Sequence, residues 1–185
     1  MERFTRIESV ALPIAQANVD TDQIIPGRFL QKPRREGLGQ YLFHDVRHLL
    51  ERPECRSAQV LVAGPNFGCG SSRENAVWAL QDYGFRAVIG PSFGDIFFNN
   101  CLKNGLLPVM LPTDVVSRLL AGLEALPRTV QVDLESQIVT LPGGARCEFE
   151  IDPFAKHCLL EGIDELDYTL SLMDDIKAFE QSYDQ

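Results

Sequence analysis

The sequence predicts an α/β fold with an antiparallel β portion beside its α/β core. Between residues 59 and 126, short apolar runs alternate with amphipathic stretches, a pattern typical of parallel strands joined by helices. After Pro127 the pattern changes to strand-like runs separated by Glu135-Ser136 and by Pro142-Gly143-Gly144, which are turn signals of antiparallel hairpins. No linker-like stretch interrupts the 185 residues, so we expect one domain spanning 1–185.

The first half of the chain predicts two strands, a long loop and a helix. Residues 8–14 (ESVALPI) predict an opening strand, and residues 59–64 (QVLVAG) predict a short buried one. Between them, residues 18–40 are rich in turn formers and charge, which predicts an irregular loop with one short helix. A helix is then predicted from about Ser72 to Tyr83, closed by Gly84 as its C-terminal cap.

The second half predicts further strands and helices in the same order. Apolar runs predict strands at 86–90 and 107–111, and a helix between them ends at Gly105. Apolar residues at helical spacing predict another helix that Thr113 caps and that runs to about Leu126. The remaining predicted helices cover residues 153–160, ending at Gly162, and 173–183.

Composition excludes several classes of function. The net charge of −9 argues against a nucleic-acid partner and against anionic membrane surfaces, which both need a basic face. No apolar run approaches the roughly 20 residues of a membrane span, and the N-terminus lacks an apolar signal core. We therefore expect a cytoplasmic protein. A small anionic substrate stays compatible with the acidic chain, because the field of a site is local.

Cysteine usage predicts reduced thiols. The five cysteines are odd in number and widely scattered, and no two of them form a CxxC pair. We expect no complete iron–sulfur or zinc site and no metal site in this chain. The residues are Cys55, Cys69, Cys101, Cys147 and Cys158.

The stretch NFGCGSSRENA, residues 66–76, predicts an anion-binding loop. A strand, a glycine loop and a helix in succession present backbone N–H groups to an anion, and here Gly68, Cys69 and Gly70 supply the loop backbone. Ser71 and Ser72 follow at the predicted helix start, where the helix dipole favours negative charge.

Arg73 adds a planar fork suited to a carboxylate or phosphate. A purely structural interpretation is a capping box, in which Ser71 caps the helix and Glu74 reaches back. Both interpretations stay open at this point. The loop matches neither the Walker pattern nor the dinucleotide fingerprint nor the GxSxG elbow.

The loop of residues 18–40 carries its own candidate groups. Asp20 and Asp22 suggest turn formers that bond their own backbone, with a metal site as the alternative. Four basic residues then crowd an otherwise acidic chain, and they suit either a solvated loop or a positive lid over an anionic substrate. These are Arg28, Lys32, Arg34 and Arg35. The three histidines, His44, His48 and His157, are expected at surface or packing positions.

Long motifs in register carry a family resemblance. Residues 18–32 (NVDTDQIIPGRFLQK), 66–85 (NFGCGSSRENAVWALQDYGF) and 91–109 (PSFGDIFFNNCLKNGLLPV) resemble the small subunits of 3-isopropylmalate dehydratase, in the aconitase superfamily. The likeness covers nearly the whole chain, including HCLLEGIDELDYTL at residues 157–170. It implies a swivelling β/β/α domain of the aconitase type.

The resemblance also implies a division of labour. In that family the small subunit works as a heterodimer with a large subunit that carries a [4Fe–4S] cluster, so the resemblance implies that this chain itself binds no cofactor. Together the subunits form a hydro-lyase that interconverts 2-isopropylmalate and 3-isopropylmalate in leucine biosynthesis. The substrate is a small dicarboxylate.

The resemblance implies roles for individual residues of this chain. Ser71 falls on the family's catalytic serine, the base that removes the carbon-bound proton, and Asp22 falls on an acidic active-site position implied to orient it. Ser72 and Arg73 are implied to bind the substrate, with Arg73 clamping a carboxylate. Arg35 falls near a substrate-binding arginine of the mobile loop.

Two positions depart from the family pattern. Asn75 stands where a histidine is usual, and Val77 stands where a proline is usual. Asn75 removes a titratable group, so a related dehydratase acting on methylmalate or dimethylmalate, a non-catalytic paralogous subunit and a neutral change all stay open. A stand-alone phosphate-binding protein is a further hypothesis, which predicts tight phosphate binding by this chain alone.

We also expect residues 27–39 to be flexible in the free subunit, because their glycines and like charges give them little to pack against.

Overall fold

The fold is organised by one seven-stranded mixed sheet. The computed structural model describes residues 1–33 and 37–183, so Arg34 and Arg35 lie outside the described residues. The strand order is β4-β3-β2-β1-β5-β6-β7. The strands are β1 Arg6–Ile14, β2 Val60–Ala63, β3 Ala87–Gly90, β4 Leu107–Met110, β5 Thr129–Asp133, β6 Ile138–Thr140 and β7 Arg146–Glu148.

The pairing confirms the predicted fold class. β1, β2, β3 and β4 pair in parallel; a long connection of short helical turns joins β1 to β2, and one helix lies in each of the connections β2–β3 and β3–β4. β1 also pairs antiparallel with β5, and the β5-β6-β7 meander continues the sheet antiparallel. The predicted antiparallel portion therefore extends the α/β core through β1.

Alternating burial along the strands divides the core into two layers. In β2, Val60 and Val62 belong to one buried cluster, while Leu61 and Ala63 belong to the other. This follows from the two-residue period of strand side chains. All four are fully buried, which explains why β2 appears in the sequence as a continuous apolar run.

The helices cover both faces of the sheet. They are α1 Thr21–Ile24, α2 Glu74–Tyr83, α3 Asp95–Asn104, α4 Thr113–Ala125, α5 Pro153–Glu161, α6 Glu165–Ser171 and α7 Met173–Tyr183. Buried side chains of α2 and α3 pack on the Leu61 face, and those of α4 pack on the Val60 face. The α2–α3 face is the one that carries the glycine loop.

Most predicted helices and strands are confirmed, with three corrections. Thr113 is the first residue of α4 rather than its cap, since Pro112 occupies the cap position without a side-chain hydrogen bond. The second correction is α6, which the sequence analysis missed because seven residues give too short a periodic pattern. The third concerns the start of α2 and is described below. Within the described residues, no helix is long and apolar enough to cross a membrane.

Candidate active site

The glycine loop lies beside the segment that carries Asp20 and Asp22. The Gly68 N–H donates to the Val19 carbonyl at 2.7 Å, and the Thr21 N–H donates to the Cys69 carbonyl at 3.0 Å. Asp20 and Cys69 form an isolated parallel bridge. These backbone bonds bring together two motifs that are separated by about fifty residues in the sequence.

Gly68 is required where it stands. Its φ is +73°, in the left-handed region that favours glycine, and a Cβ built there would lie 2.2 Å from Cγ of Phe97. The Gly94 N–H donates to the Phe67 carbonyl at 2.9 Å, which fixes the backbone immediately before Gly68. The glycine therefore allows the loop to approach α3 closely.

Ser71 and Ser72 are exposed at the far side of the loop. The Ser71 carbonyl accepts a hydrogen bond from Oγ1 of Thr21 at 2.9 Å, and Thr21 is only 1% exposed. The Ser71 hydroxyl has no hydrogen-bond partner among the described residues. The backbone of Ser71 is thus held while its hydroxyl remains open to a ligand.

The capping-box interpretation of Ser71 and Glu74 is wrong. α2 begins at Glu74 rather than near Ser72, and its N-cap is Arg73, which makes no side-chain cap hydrogen bond. The Glu74 carboxylate accepts instead from Nδ2 of Asn104 at 2.7 Å. Because no side chain caps this end of α2, its first N–H groups remain available to an anion.

Arg73 and Asp22 form an ion pair next to the serines. Nη1 of Arg73 donates to Oδ1 of Asp22, and the Arg73 side chain is 21% exposed against 58% for Asp22. The hydrogen bond from Arg73 lowers the pKa of Asp22, and the backbone N–H of Gly27 lowers it further. Nε and Nη2 of Arg73 make no hydrogen bond with the described residues, which leaves one edge of the guanidinium for a carboxylate.

Asp22 therefore contacts Arg73 and not Ser71, the residue it was predicted to orient. Thr21, which the sequence analysis did not single out, is the residue of this segment that holds the Ser71 backbone. No periodic signal marks Thr21, and only its position between two aspartates of a motif indicated its importance. The sequence analysis also did not identify Gly27 as a site residue. Its backbone N–H bonds the Asp22 carboxylate, and no local sequence pattern indicates that contact.

Asp20 is a turn former, as predicted. Its carboxylate caps α1 by accepting from the Gln23 N–H at 2.8 Å, and its own N–H donates to Oε1 of Gln23 at 3.1 Å. Within residues 1–33 and 37–183, no three His, Cys, Asp or Glu side chains are grouped to hold a metal ion. All five cysteines are free, as predicted, and Cys69 is the one that lies in the loop.

The basic residues of the 18–40 loop are only partly near the site. Arg28 pairs with Asp45, donating from Nη1 to Oδ2 at 2.8 Å. The hydrogen bond from Arg28, followed by one from His44, lowers the pKa of Asp45 to about 2. Lys32 is exposed. Arg28 is thus already paired with Asp45, and it does not contribute to the positive lid that was predicted over the substrate.

The far end of that loop packs more firmly than its composition suggested. The Leu38 N–H donates to Oδ2 of Asp82 at 2.7 Å, and both Leu38 and Gly39 are buried. A Cβ on Gly39 would lie 2.5 Å from the Tyr83 nitrogen. The lack of packing that motivated the flexibility prediction therefore does not hold at these two residues. The three histidines are all exposed, which agrees with the predicted surface or packing positions.

Replacing Asp22 by asparagine tests its role on Arg73. Because the folded pKa lies below the unfolded value, the carboxylate stabilises the fold above about pH 3.9 and loses that effect only as the pH falls through its lowered pKa. We expect Asp22→Asn to raise the substrate KM about threefold to tenfold through loss of one charge-assisted hydrogen bond. The pH profile of kcat between about pH 6 and 9 is expected to stay unchanged, because Asp22 does not titrate there.

The control for this variant is Asp114→Asn, which removes the exposed Asp114–Arg118 pair on α4. Since Asp22 is 58% exposed, neither variant is expected to change the free energy of unfolding by more than about 1 kcal/mol. Steady-state kinetics and urea unfolding measure the two effects. An unchanged KM, or a displaced pH profile, would argue that Asp22 does not act through Arg73.

Comparisons with known proteins agree with this architecture. The family model described as "Aconitase C-terminal domain" matches residues 1–114, and a second, described as LeuD_N, matches residues 118–153. A solved structure described as 3-isopropylmalate dehydratase from Methanocaldococcus jannaschii superposes with a TM-score of 0.71 at 28% identity. That likeness covers 95% of this chain and 99% of that one.

Curated relatives match over almost their whole length. The 3-isopropylmalate dehydratase small subunit of Paramagnetospirillum magneticum is 51% identical, with 98% of this chain and 96% of that protein covered. The small subunit of the same name from Dinoroseobacter shibae is 48% identical, with 97% and 95% covered. The chain belongs to the aconitase C-terminal domain family and, within it, to the small subunits of 3-isopropylmalate dehydratase.

Proposed function

We propose that this chain is the small subunit of a hydro-lyase that interconverts 2-isopropylmalate and 3-isopropylmalate by dehydration and rehydration, in leucine biosynthesis. The observation that carries the proposal is the open Ser71–Arg73 segment, held beside Asp22, in a chain with full-length relatives of that name. The single sheet, in which β1 pairs with both portions, supports one domain over 1–185.

The partner is a large subunit that completes the site. Gly70, Ser71 and Ser72 are all exposed, so this chain alone does not exclude water from the reacting atoms. Proton removal from carbon needs a closed and dry environment. A second subunit over this face supplies that closure, which supports the heterodimer.

The chain's own residues do not fit an iron–sulfur cluster. Cys55, Cys101 and Cys158 are buried at separate places in the fold, and Cys69 is the one cysteine of the loop. We therefore assign the [4Fe–4S] cluster to the large subunit, where its iron would supply Lewis-acid assistance to the departing hydroxyl group. This chain supplies the proton transfer and the contacts to the carboxylates.

Ser71 is the proposed base. A serine hydroxyl is a poor base in water, so its alkoxide must be stabilised within the site. The uncapped N-terminus of α2 and the positive charge of Arg73 both lie within the same short segment and favour the negative form. Ser71 then takes the carbon-bound proton as the hydroxyl group leaves, and it returns the proton in the hydration step.

Arg73 and Ser72 are the proposed substrate contacts. Arg73 presents Nε and Nη2 to a substrate carboxylate while Nη1 stays on Asp22, so the guanidinium is oriented before the substrate arrives. Ser72 adds a hydroxyl donor beside it. Arg35, outside the described residues, is proposed as a further carboxylate contact by resemblance alone.

Substrate preference separates the proposed function from its alternatives. We would purify the chain with the large subunit of the same organism without oxygen and assay dehydration of 3-isopropylmalate, citramalate and dimethylmalate. A clear preference for 3-isopropylmalate is expected, which would make Asn75 a tolerated change. Preference for a smaller malate would keep the mechanism and replace the substrate. A formed complex with an intact cluster and no turnover would favour the non-catalytic subunit.

The phosphate-binding hypothesis has a separate test. It requires this chain alone to bind phosphate tightly, although the uncapped end of α2 is only half-buried and is adjacent to the exposed residues Ser71 and Ser72. Calorimetry of the free subunit with inorganic phosphate is expected to show no tight binding. Heat that saturates at micromolar phosphate would instead favour it.

A further inference from the structure

We propose that Asn104, at the C-terminal end of α3, positions the Ser71–Arg73 segment by clamping the first turn of α2. This inference rests on the proposed function of that segment. Asn104 lies about thirty residues from the serines in the sequence and does not touch them. It is a positioning residue, and its effect on Ser71 and Arg73 is transmitted through Glu74.

Asn104 makes hydrogen bonds along one stripe of α2. Its Nδ2 donates to Oε1 of Glu74 at 2.7 Å, and its Oδ1 accepts from the indole N–H of Trp78 at 2.8 Å. Its backbone carbonyl accepts from Nε2 of Gln81 at 2.6 Å. Positions 74, 78 and 81 fall on the same face of a helix, so one residue holds α2 at three points along its length.

The Asn104 side chain is itself held in one orientation. Nδ2 also donates to the Asn100 carbonyl at 2.9 Å, and Gly105 ends α3 in the left-handed conformation. With both amide ends in use, the side chain cannot rotate without breaking bonds at Glu74 and Trp78 together. The amide therefore acts as a fixed point against which the start of α2 is set.

The other end of α3 holds the other end of the loop. The Phe97 ring packs against Gly68 so closely that a Cβ there would lie 2.2 Å from it, and Gly94 lies against the Gly68 carbonyl. Gly68 is buried and lies two residues before the exposed residues 70–72, and Glu74 lies two residues after them. Residues 69–73 are thus held at both ends by contacts with α3. We call these contacts, of Phe97 and Gly94 with Gly68 and of Asn104 with Glu74, the α3 brace.

The brace matters because the segment has few other anchors. Between Gly68 and Glu74, the described contacts include the Cys69 and Ser71 carbonyls on Thr21 and the Arg73 side chain on Asp22. α2 has no side-chain N-cap, so its first turn depends on Glu74 for a side-chain tether. Loss of that tether frees the end that carries Arg73 and the neighbouring serines. A displacement of about 1 Å at reacting groups can cost on the order of 100-fold in rate.

The test is Asn104→Asp, with Asn99→Asp as its matched control. The introduced carboxylate at 104 can still accept from Trp78, but it faces the Glu74 carboxylate across the former 2.7 Å hydrogen bond and repels it. Asn99 is on the same helix and exposed, so the same substitution there leaves the brace intact. We expect kcat with the large subunit to fall about 10- to 100-fold for Asn104→Asp and less than about twofold for Asn99→Asp.

Two further readouts separate positioning from general destabilisation. The paired carboxylates share a proton more readily in acid, so the activity of Asn104→Asp is expected to recover relative to wild type between about pH 8 and 6. The double variant Glu74→Gln/Asn104→Asp restores an N–H donor between the two side chains but not the bond to the Asn100 carbonyl, so we expect it to recover part of the lost kcat. Glu74→Gln alone keeps an acceptor for Asn104 and is expected to remain close to wild type.

Hydrogen exchange in the free subunit keeps this test independent of catalysis. The Arg73 N–H bonds the Ser71 carbonyl at 2.8 Å and the Ala76 N–H bonds the Arg73 carbonyl at 3.1 Å. Both amides should exchange faster in Asn104→Asp and at the wild-type rate in Asn99→Asp. Unchanged exchange, or no rescue by the double variant, would overturn the proposal. Faster exchange in Asn104→Asp, together with a wild-type complex that does not turn over isopropylmalate, would instead reject the proposed function and keep the brace.

Discussion

Ser71→Ala is expected to lower kcat for isopropylmalate by about 10²- to 10⁴-fold, the range typical of losing a positioned general base. The Ser71 hydroxyl is exposed and without a partner among the described residues, so its removal leaves no buried group unsatisfied. The Ser71 backbone, which Thr21 holds through the carbonyl, is unchanged by the substitution. The loss should therefore appear in kcat, with little change in KM, in complex formation or in the free energy of unfolding.

Ser72→Ala is the matched control for this experiment. It removes the same group from the adjacent exposed residue, so a shared effect on loop conformation would appear in both variants. Because Ser72 is assigned to substrate contact, its loss is expected mainly in KM. If Ser71→Ala kept more than a tenth of the wild-type kcat, the assignment of Ser71 as the base would be wrong.

Gly68→Ala is expected to lower the free energy of unfolding by about 2–5 kcal/mol. The left-handed backbone at φ +73° contributes about 1–2 kcal/mol of this, and forcing a methyl group against the Phe97 ring contributes about 1–3 kcal/mol more. The loop must move away from α3 to relieve the contact, so turnover with the large subunit should also be lost. Denaturant unfolding of the free subunit measures the first effect, and the reconstituted assay measures the second.

Gly70→Ala isolates the steric part of that prediction. Gly70 also has a positive φ, +89°, but a Cβ there meets its nearest neighbour, Cβ of Asp20, at an ordinary 3.5 Å. It should therefore lose only the backbone contribution of about 1–2 kcal/mol. Gly68→Ala combined with Phe97→Ala should show a favourable coupling energy, since the two groups that collide are both reduced. Equal losses for the two glycine variants would mean that the approach to Phe97 does not constrain the loop.

The strand and helix order was predictable because it depends on local patterns. β2 and β3 are continuous apolar runs that are buried on both faces, and α4 carries its buried residues at helical spacing. Gly84 and Gly105 end their helices as glycine caps commonly do. Each of these features is determined by a few neighbouring residues, so it can be predicted from the local sequence.

The site was predictable in its position but not in its contacts. The segment Ser71-x-x-Glu74 fits a capping box, yet Glu74 bonds Asn104, which lies thirty residues further on. Asp22 likewise meets Arg73 across about fifty residues. Local spacing cannot choose between a near and a distant partner, since the choice depends on how α3 and the 18–24 segment pack against the loop. These long-range contacts could therefore be identified only from the three-dimensional structure.

The central claim is that this chain completes an isopropylmalate hydro-lyase, and titrating it into a fixed amount of cluster-loaded large subunit tests that claim most directly. The rate of 3-isopropylmalate conversion to 2-isopropylmalate, measured without oxygen, is predicted to rise from background and to saturate near one small subunit per large subunit. Ser71→Ala should bind with the same stoichiometry and give almost no conversion. A large subunit that is equally active alone, or a saturated wild-type complex that converts no isopropylmalate, would contradict the account.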